Sequence, residues 1–120
     1  MSGETLPNDN ATAVHDLKAA TDANGSGSGS DIAYNPDKLG ENIRNEDGTT
    51  GRPPQIGLIH ELSHAFLNSL GRKNSFIATF TNDPDTKFKG IISMEEIDVR
   101  TNYENPARKE QFIKPRATNF

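Results

Sequence analysis

The sequence predicts a small α+β domain, on three observations. Apolar residues repeat at helical spacing across Pro54–Leu70. Two apolar runs, Ser75–Phe80 and Lys87–Ile92, flank the turn-rich Thr81–Asp85 as the strands of a hairpin would. A second helix opens at Ser93, where Ser93 and Glu96 form a capping-box pattern. The architecture expected is one long helix packed on a small antiparallel or mixed sheet, with a C-terminal helix behind it.

Each element has a local reason. Residues 1–30 are polar and end in the run Asn24–Ser30, too poor in apolar surface to offset its ordering entropy. A flexible N-terminal segment over 1–30 is therefore expected, followed by a folded domain over 31–120. Val14 and Leu17 allow at most a short helix within Ala11–Ala20. Asp31–Asn35 reads as a short strand stopped by Pro36, with Ile32–Asn35 in the sheet. Residues 37–52 are polar, carry three glycines and read as loop. Pro53 and Pro54 suit a helix start, where a missing N–H costs nothing. Ile59, Leu62, Phe66 and Leu70 then follow the spacing of one buried face, and Gly71 supplies the stop. A last helical turn is expected at Pro106 with Asn105 as its N-cap.

Composition bounds the function. The chain has 120 residues, 32 % of them hydrophobic, and Leu, Ile, Val and Phe make up only a fifth. That is close to the composition of disordered chains, so one small and marginal core is the most it can build. Net charge is −4 with an isoelectric point near 5.3. No general nucleic-acid-binding face is expected from that balance. The basic cluster Arg100, Arg108, Lys109, Lys114 and Arg116 reads by default as a solvated face. No apolar run approaches the roughly 18 residues of a spanning helix, and Cys is absent, which excludes disulfides and thiolate ligands. The residues after Met1 lack the basic and apolar regions of a cleaved signal.

The chemistry concentrates in His60-Glu61-Leu62-Ser63-His64, an H-E-x-x-H motif on the strongest predicted helix. Residues four apart sit one above the other on a helix, so both imidazoles can reach one ion. Glu61 lies about 100° round from His60 and about 60° from His64. Its carboxylate can there hold the attacking water and take its proton. Zinc is the expected ion, with three protein ligands and one open position. Leu67 and Leu70 stand where a third histidine motif would need Gly and His. The third ligand is then a downstream glutamate. Glu96 is preferred over Glu95 and Glu104, and His15 is a weaker alternative in the N-terminal part. Glu96 shares a face with Arg100 and Tyr103, whereas Ile97, Thr101 and Glu104 make another. Asp98 or Arg100 would orient a metal-binding Glu96. Tyr103 and Arg100 are the candidates to stabilise an oxyanion. The strand Asp31–Asn35 could pair with an extended substrate.

Pro53–Ala65 around the motif, the upstream Gly25–Pro36 ending in Tyr-Asn-Pro, and the tail Glu95-Glu96, Tyr103–Arg108, Pro115-Arg116 and Phe120 resemble, in that order, the bacterial effector metallopeptidase family typified by NleD. The resemblance implies a minimal zincin fold and a zinc-dependent endopeptidase. His60 and His64 would be ligands, Glu61 the base, and a downstream glutamate the third ligand. Members are injected by type III secretion or form toxin domains, and the best-known cut host MAP kinases. A protein substrate in a target cell's cytosol is thus expected; apart from the resemblance, composition gives no nucleic-acid or membrane partner, and a monomer is the default expectation. This chain has almost nothing before the glycine-rich segment, so the kinase target does not transfer. A zinc hydrolase of a non-peptide bond and a non-catalytic metal-binding interaction module are the rival readings. A core this small also gains from a metal staple.

Overall fold

Two prolines open the central element. The structure, a computed structural model, describes residues 10–21, 27–73, 77–79 and 92–117. Within them the order is β1 (Ala11–Val14), α1 (Leu17–Thr21), β2 (Ser30–Ala33), α2 (Pro54–Ser69), β3 (Ile77–Thr79), β4 (Ile92–Ser93), α3 (Met94–Val99), a π-helical turn (Arg100–Glu104) and α4 (Asn105–Glu110). This is a small α+β domain. Helix α2 starts with Pro54 at its first turn. It stops where Gly71 N–H reaches Asn68 O and Arg72 N–H reaches Leu67 O, the paired bonds of a glycine-ended helix.

One antiparallel sheet, β1–β2, packs on α2, with Thr12 opposite Ile32. Strand β1 corrects the expectation of a helix over Ala11–Ala20: α1 forms only from Leu17, and Ala11–Val14 is extended because β2 pairs with it. So the segment read as flexible carries β1 and α1 over its described residues. Its glycines serve close approach. A Cβ on Gly27 would stand 1.9 Å from Ser69 O, and Ser28 N–H donates to Asn68 O. The sheet is thus seated against the last turns of α2. Gly57 does the same at the other end, where a Cβ would lie 2.6 Å from Asn10 Nδ2.

The second sheet, β3–β4, is also antiparallel and two-stranded. The three strands expected in one sheet therefore fall into two sheets. Of Ser75–Phe80 the described part is β3, and of Lys87–Ile92 it is Ile92 alone; the turn Thr81–Asp85 lies outside the described residues. Ser93 caps α3 as expected, its Oγ accepting from Glu96 N–H at 3.1 Å. Asn105 is not an N-cap, because the helical path runs through it. Its side chain instead binds both backbone groups of Arg116, at 2.7 and 3.1 Å, and pins the tail. The loop before α2 has no helix and is tied by bridges between Arg44 and Thr50 and between Asn45 and Arg116.

The buried face of α2 differs from the expected one. Ile56, His60, Glu61, Ser63, Leu67 and Asn68 are buried, whereas Leu62 and Phe66 are about half exposed. The solvated reading of the basic cluster also fails for Arg100, Arg108 and Arg116, each at most 2 % exposed. Those arginines are interior because two glutamates are interior beside them.

Candidate metal centre

Helix α2 contributes His60 and His64, and α3 contributes Glu96 from its first turn. His60 Nε2 lies 2.9 Å from Glu96 Oε1, His64 Nε2 lies 3.1 Å from the same oxygen, and the two Nε2 atoms are 3.2 Å apart. Ligands at 2.0–2.2 Å round a tetrahedral ion would be about 3.3 Å from one another. The three atoms therefore outline one face of such a tetrahedron. These residues could hold a metal ion.

The outer hydrogen bonds orient both imidazoles toward that space. His60 Nδ1 lies 2.6 Å from Glu104 Oε1, and His64 Nδ1 lies 2.8 Å from Glu95 Oε2. A carboxylate beside Nδ1 holds the proton there and leaves the Nε2 lone pair free. Two Nε2 lone pairs and a carboxylate oxygen then converge, which crowds three electron-rich atoms together. A proton on one imidazole relieves this in part. Burial lowers the His64 pKa, but its bonds to Glu95 and Glu96 outweigh that and raise it to about 9. A metal ion would satisfy all three atoms together.

Each orienting carboxylate has its own counter-charge. Glu104, wholly buried, meets Arg52 at 3.1 Å, Arg108 at 2.8 Å and Arg116 at 3.2 Å. Glu95 receives Lys73 Nζ at 3.0 Å. Glu96 Oε2 accepts from Arg100 Nε at 2.6 Å, so Arg100 is the group that orients Glu96. Burial raises the Glu96 and Glu104 carboxyls, yet the surrounding imidazoles and guanidinium groups hold both well below the usual range. The cap at Ser93 uses the backbone N–H of Glu96. The cap therefore leaves the Glu96 carboxylate free to turn toward the histidines.

The π turn brings Glu104 to this place. On an unbroken α-helix, residues eight apart differ by about 80° in direction. The wider turn over Arg100–Glu104 takes up that difference. Glu96 and Glu104 then approach opposite nitrogens of one imidazole. This corrects the assignment of Glu104 to a separate face. Glu95 and Glu104, the alternative third ligands, sit behind the histidines. His15 pairs with Asp31 at 3.1 Å on an exposed patch and is outside the His60, His64, Glu96 group.

A cavity of about 250 Å³ opens on the cluster, with Glu61, Thr12, Arg52, Lys73 and Arg116 among its lining residues. Glu61 is 5 % exposed and accepts a hydrogen bond from Thr12 Oγ1 at 2.9 Å. Tyr103 packs against Phe66, ring centroids 6.5 Å apart, and neither it nor Arg100 is among the residues lining the cavity. Sequence reasoning gave no role to Arg52, Lys73 or Thr12. Only Arg116 carried a signal, as part of the tail pattern. Comparison with protein-family models, curated proteins and solved structures finds no match.

Proposed function

We propose that this protein is a zinc-dependent peptidase whose ion is held by His60, His64 and Glu96. The observation that carries the reading is the convergence of three lone-pair atoms at tetrahedral spacing, beside a buried Glu61, at the floor of a cavity. Two imidazoles and one carboxylate are a donor set that suits zinc and leaves one position open. Zinc bound there supplies a Lewis acid for the scissile carbonyl and lowers the pKa of a water toward about 7.

The chain's own groups do the rest. Glu61 takes a proton from the attacking water and returns it to the leaving amine. Glu104 and Glu95 fix the two imidazoles with Nε2 inward. Arg52 and Arg116, which face the cavity, replace Arg100 and Tyr103 as the groups placed to meet an oxyanion. Among the strand residues lining the cavity are Ala11 and Thr12 of β1, so an extended peptide would lie along β1 and not along β2. On the resemblance, that peptide would belong to a protein of a target cell.

The test is metal content together with cleavage. Purified protein should carry one zinc per chain and cut members of a broad peptide library. Glu61→Ala should keep the zinc and lose roughly a hundredfold to ten-thousandfold in kcat, and Glu96→Ala should lose zinc. Cleavage by Glu61→Ala at the wild-type rate would sink the proposal. Zinc without peptide cleavage, but with hydrolysis of an ester or amide outside peptides, would assign the same centre to another bond.

A further inference from the structure

We infer that Thr12 is a positioning residue that holds the Glu61 carboxylate beside the metal site and keeps it from collapsing onto the ion. The inference rests on the peptidase reading and deepens it.

Thr12 Oγ1 lies 2.9 Å from Glu61 Oε1 and 2.9 Å from the carbonyl oxygen of the same residue. A hydroxyl has one proton to donate, so it alternates between the two or shares itself across them. Whenever it points at Oε1 it ties the end of the Glu61 side chain to strand β1. The bond engages one carboxylate oxygen and leaves the other for the attacking water.

The donor is itself held firmly. Thr12 stands opposite Ile32 in the β1–β2 ladder. The sheet is in turn fixed to α2 by Ser28 N–H to Asn68 O and by Asn68 Nδ2 to Ser30 Oγ, both at 2.8 Å. A β-branched side chain in a strand has restricted χ1, which fixes where its hydroxyl points. Glu61, by contrast, has three side-chain torsions and a neighbouring cation site that attracts its charge. Once the hydroxyl is gone, a buried carboxylate oxygen loses its partner, which is costly. Its nearest remedy is to swing toward the ion and occupy the open position. The general base would then block the reaction it serves.

Thr12→Val keeps the shape and the strand propensity and removes the donor, and Thr12→Ser restores the donor. Thr12→Val should lower kcat about tenfold to a hundredfold, with KM within twofold and zinc content unchanged. Thr12→Ser should recover most of the rate. Crystal structures of both variants give the readout that does not need activity. Glu61 should leave its rotamer in Thr12→Val and keep it in Thr12→Ser. An unmoved Glu61 in Thr12→Val, or equal loss of rate in the two variants, would overturn the inference. If wild type cleaves no peptide, the peptidase reading falls, and the two crystal structures still decide whether Thr12 tethers Glu61.

Discussion

The two faces of α2 have exchanged their usual contents. The inward face carries His60, Glu61, Ser63 and Asn68 beside Ile56 and Leu67, and the outward face carries Leu62 and Phe66. An ordinary amphipathic helix does the opposite. The difference teaches where a small domain that builds a charged site must put it. Only one stripe of a helix can face the interior. Here that stripe meets Glu96, Glu104 and their arginines, so the local interior is ion-paired as well as apolar. Buried ion pairs of this kind add little net stability compared with apolar packing, but losing one partner is severe.

The strongest attempt to break that contrast is Glu104→Ala. It removes a carboxylate that neutralises Arg52, Arg108 and Arg116 and orients His60. The inner face should lose about 3–5 kcal/mol, as expected when a buried charge is left uncompensated. Urea denaturation measures it, with the exposed Glu110→Ala as the control near zero. A loss below about 1 kcal/mol at Glu104 would mean that the arginines are adequately hydrated without it.

The two faces were also unequally legible in the sequence. His60 and His64 were readable as a pair because H-E-x-x-H stacks two imidazoles on one side of a helix, a pattern chance rarely produces, and both do meet Glu96. Glu96 was within reach because helical spacing puts it on one face with Arg100, and Arg100 Nε does donate to its carboxylate at 2.6 Å. Glu104 was misplaced because a π turn leaves no local mark that α-helical geometry can register. Thr12 was invisible because Ala11–Val14 becomes a strand only by pairing with β2, a non-local event. The α+β class survived these misses, since it depended on α2, the β3–β4 pairing and the Ser93 cap.

A smaller effect separates the inner face by pH, and it needs the metal-free protein. The His64 pKa in the fold, about 9, exceeds its ordinary value near 6.5. Its contribution to stability is therefore fully present below about pH 6.5 and is lost as pH rises through about 9. Glu96 and Glu104 lie below their ordinary values. Their contribution is present above the usual carboxylate range, near pH 4.3, and is lost as pH falls through their depressed values. The melting temperature of chelated protein should thus peak between about pH 5 and 6.5 and decline toward pH 9. Zinc needs the unprotonated imidazole, so adding it should raise the melting temperature more at pH 9 than at pH 6. A metal-free melting temperature that is flat from pH 6 to 9 would show that the His64 proton is not bound as tightly as the geometry implies.

The smallest expected effect is the sharpest test of the outward face. Its spacing with Ile59, Phe66 and Leu70 predicts Leu62 in the core. At 100° per residue, Leu62 points about 160° away from both His60 and His64. Both histidines must face Glu96 to meet it, so Leu62 must face outward, and it is 49 % exposed. The motif and the apolar stripe could not both have been interior; the sequence held that contradiction, and the contacts of His60 and His64 with Glu96 decide it. Leu62→Asn should therefore change stability by no more than about 0.5 kcal/mol. Leu67→Ala, at a position 2 % exposed on the inner face, should cost about 2–5 kcal/mol. Urea midpoints of the two variants measure the difference directly. If the order reversed, the stripe would be core after all, and the histidines would have to leave Glu96.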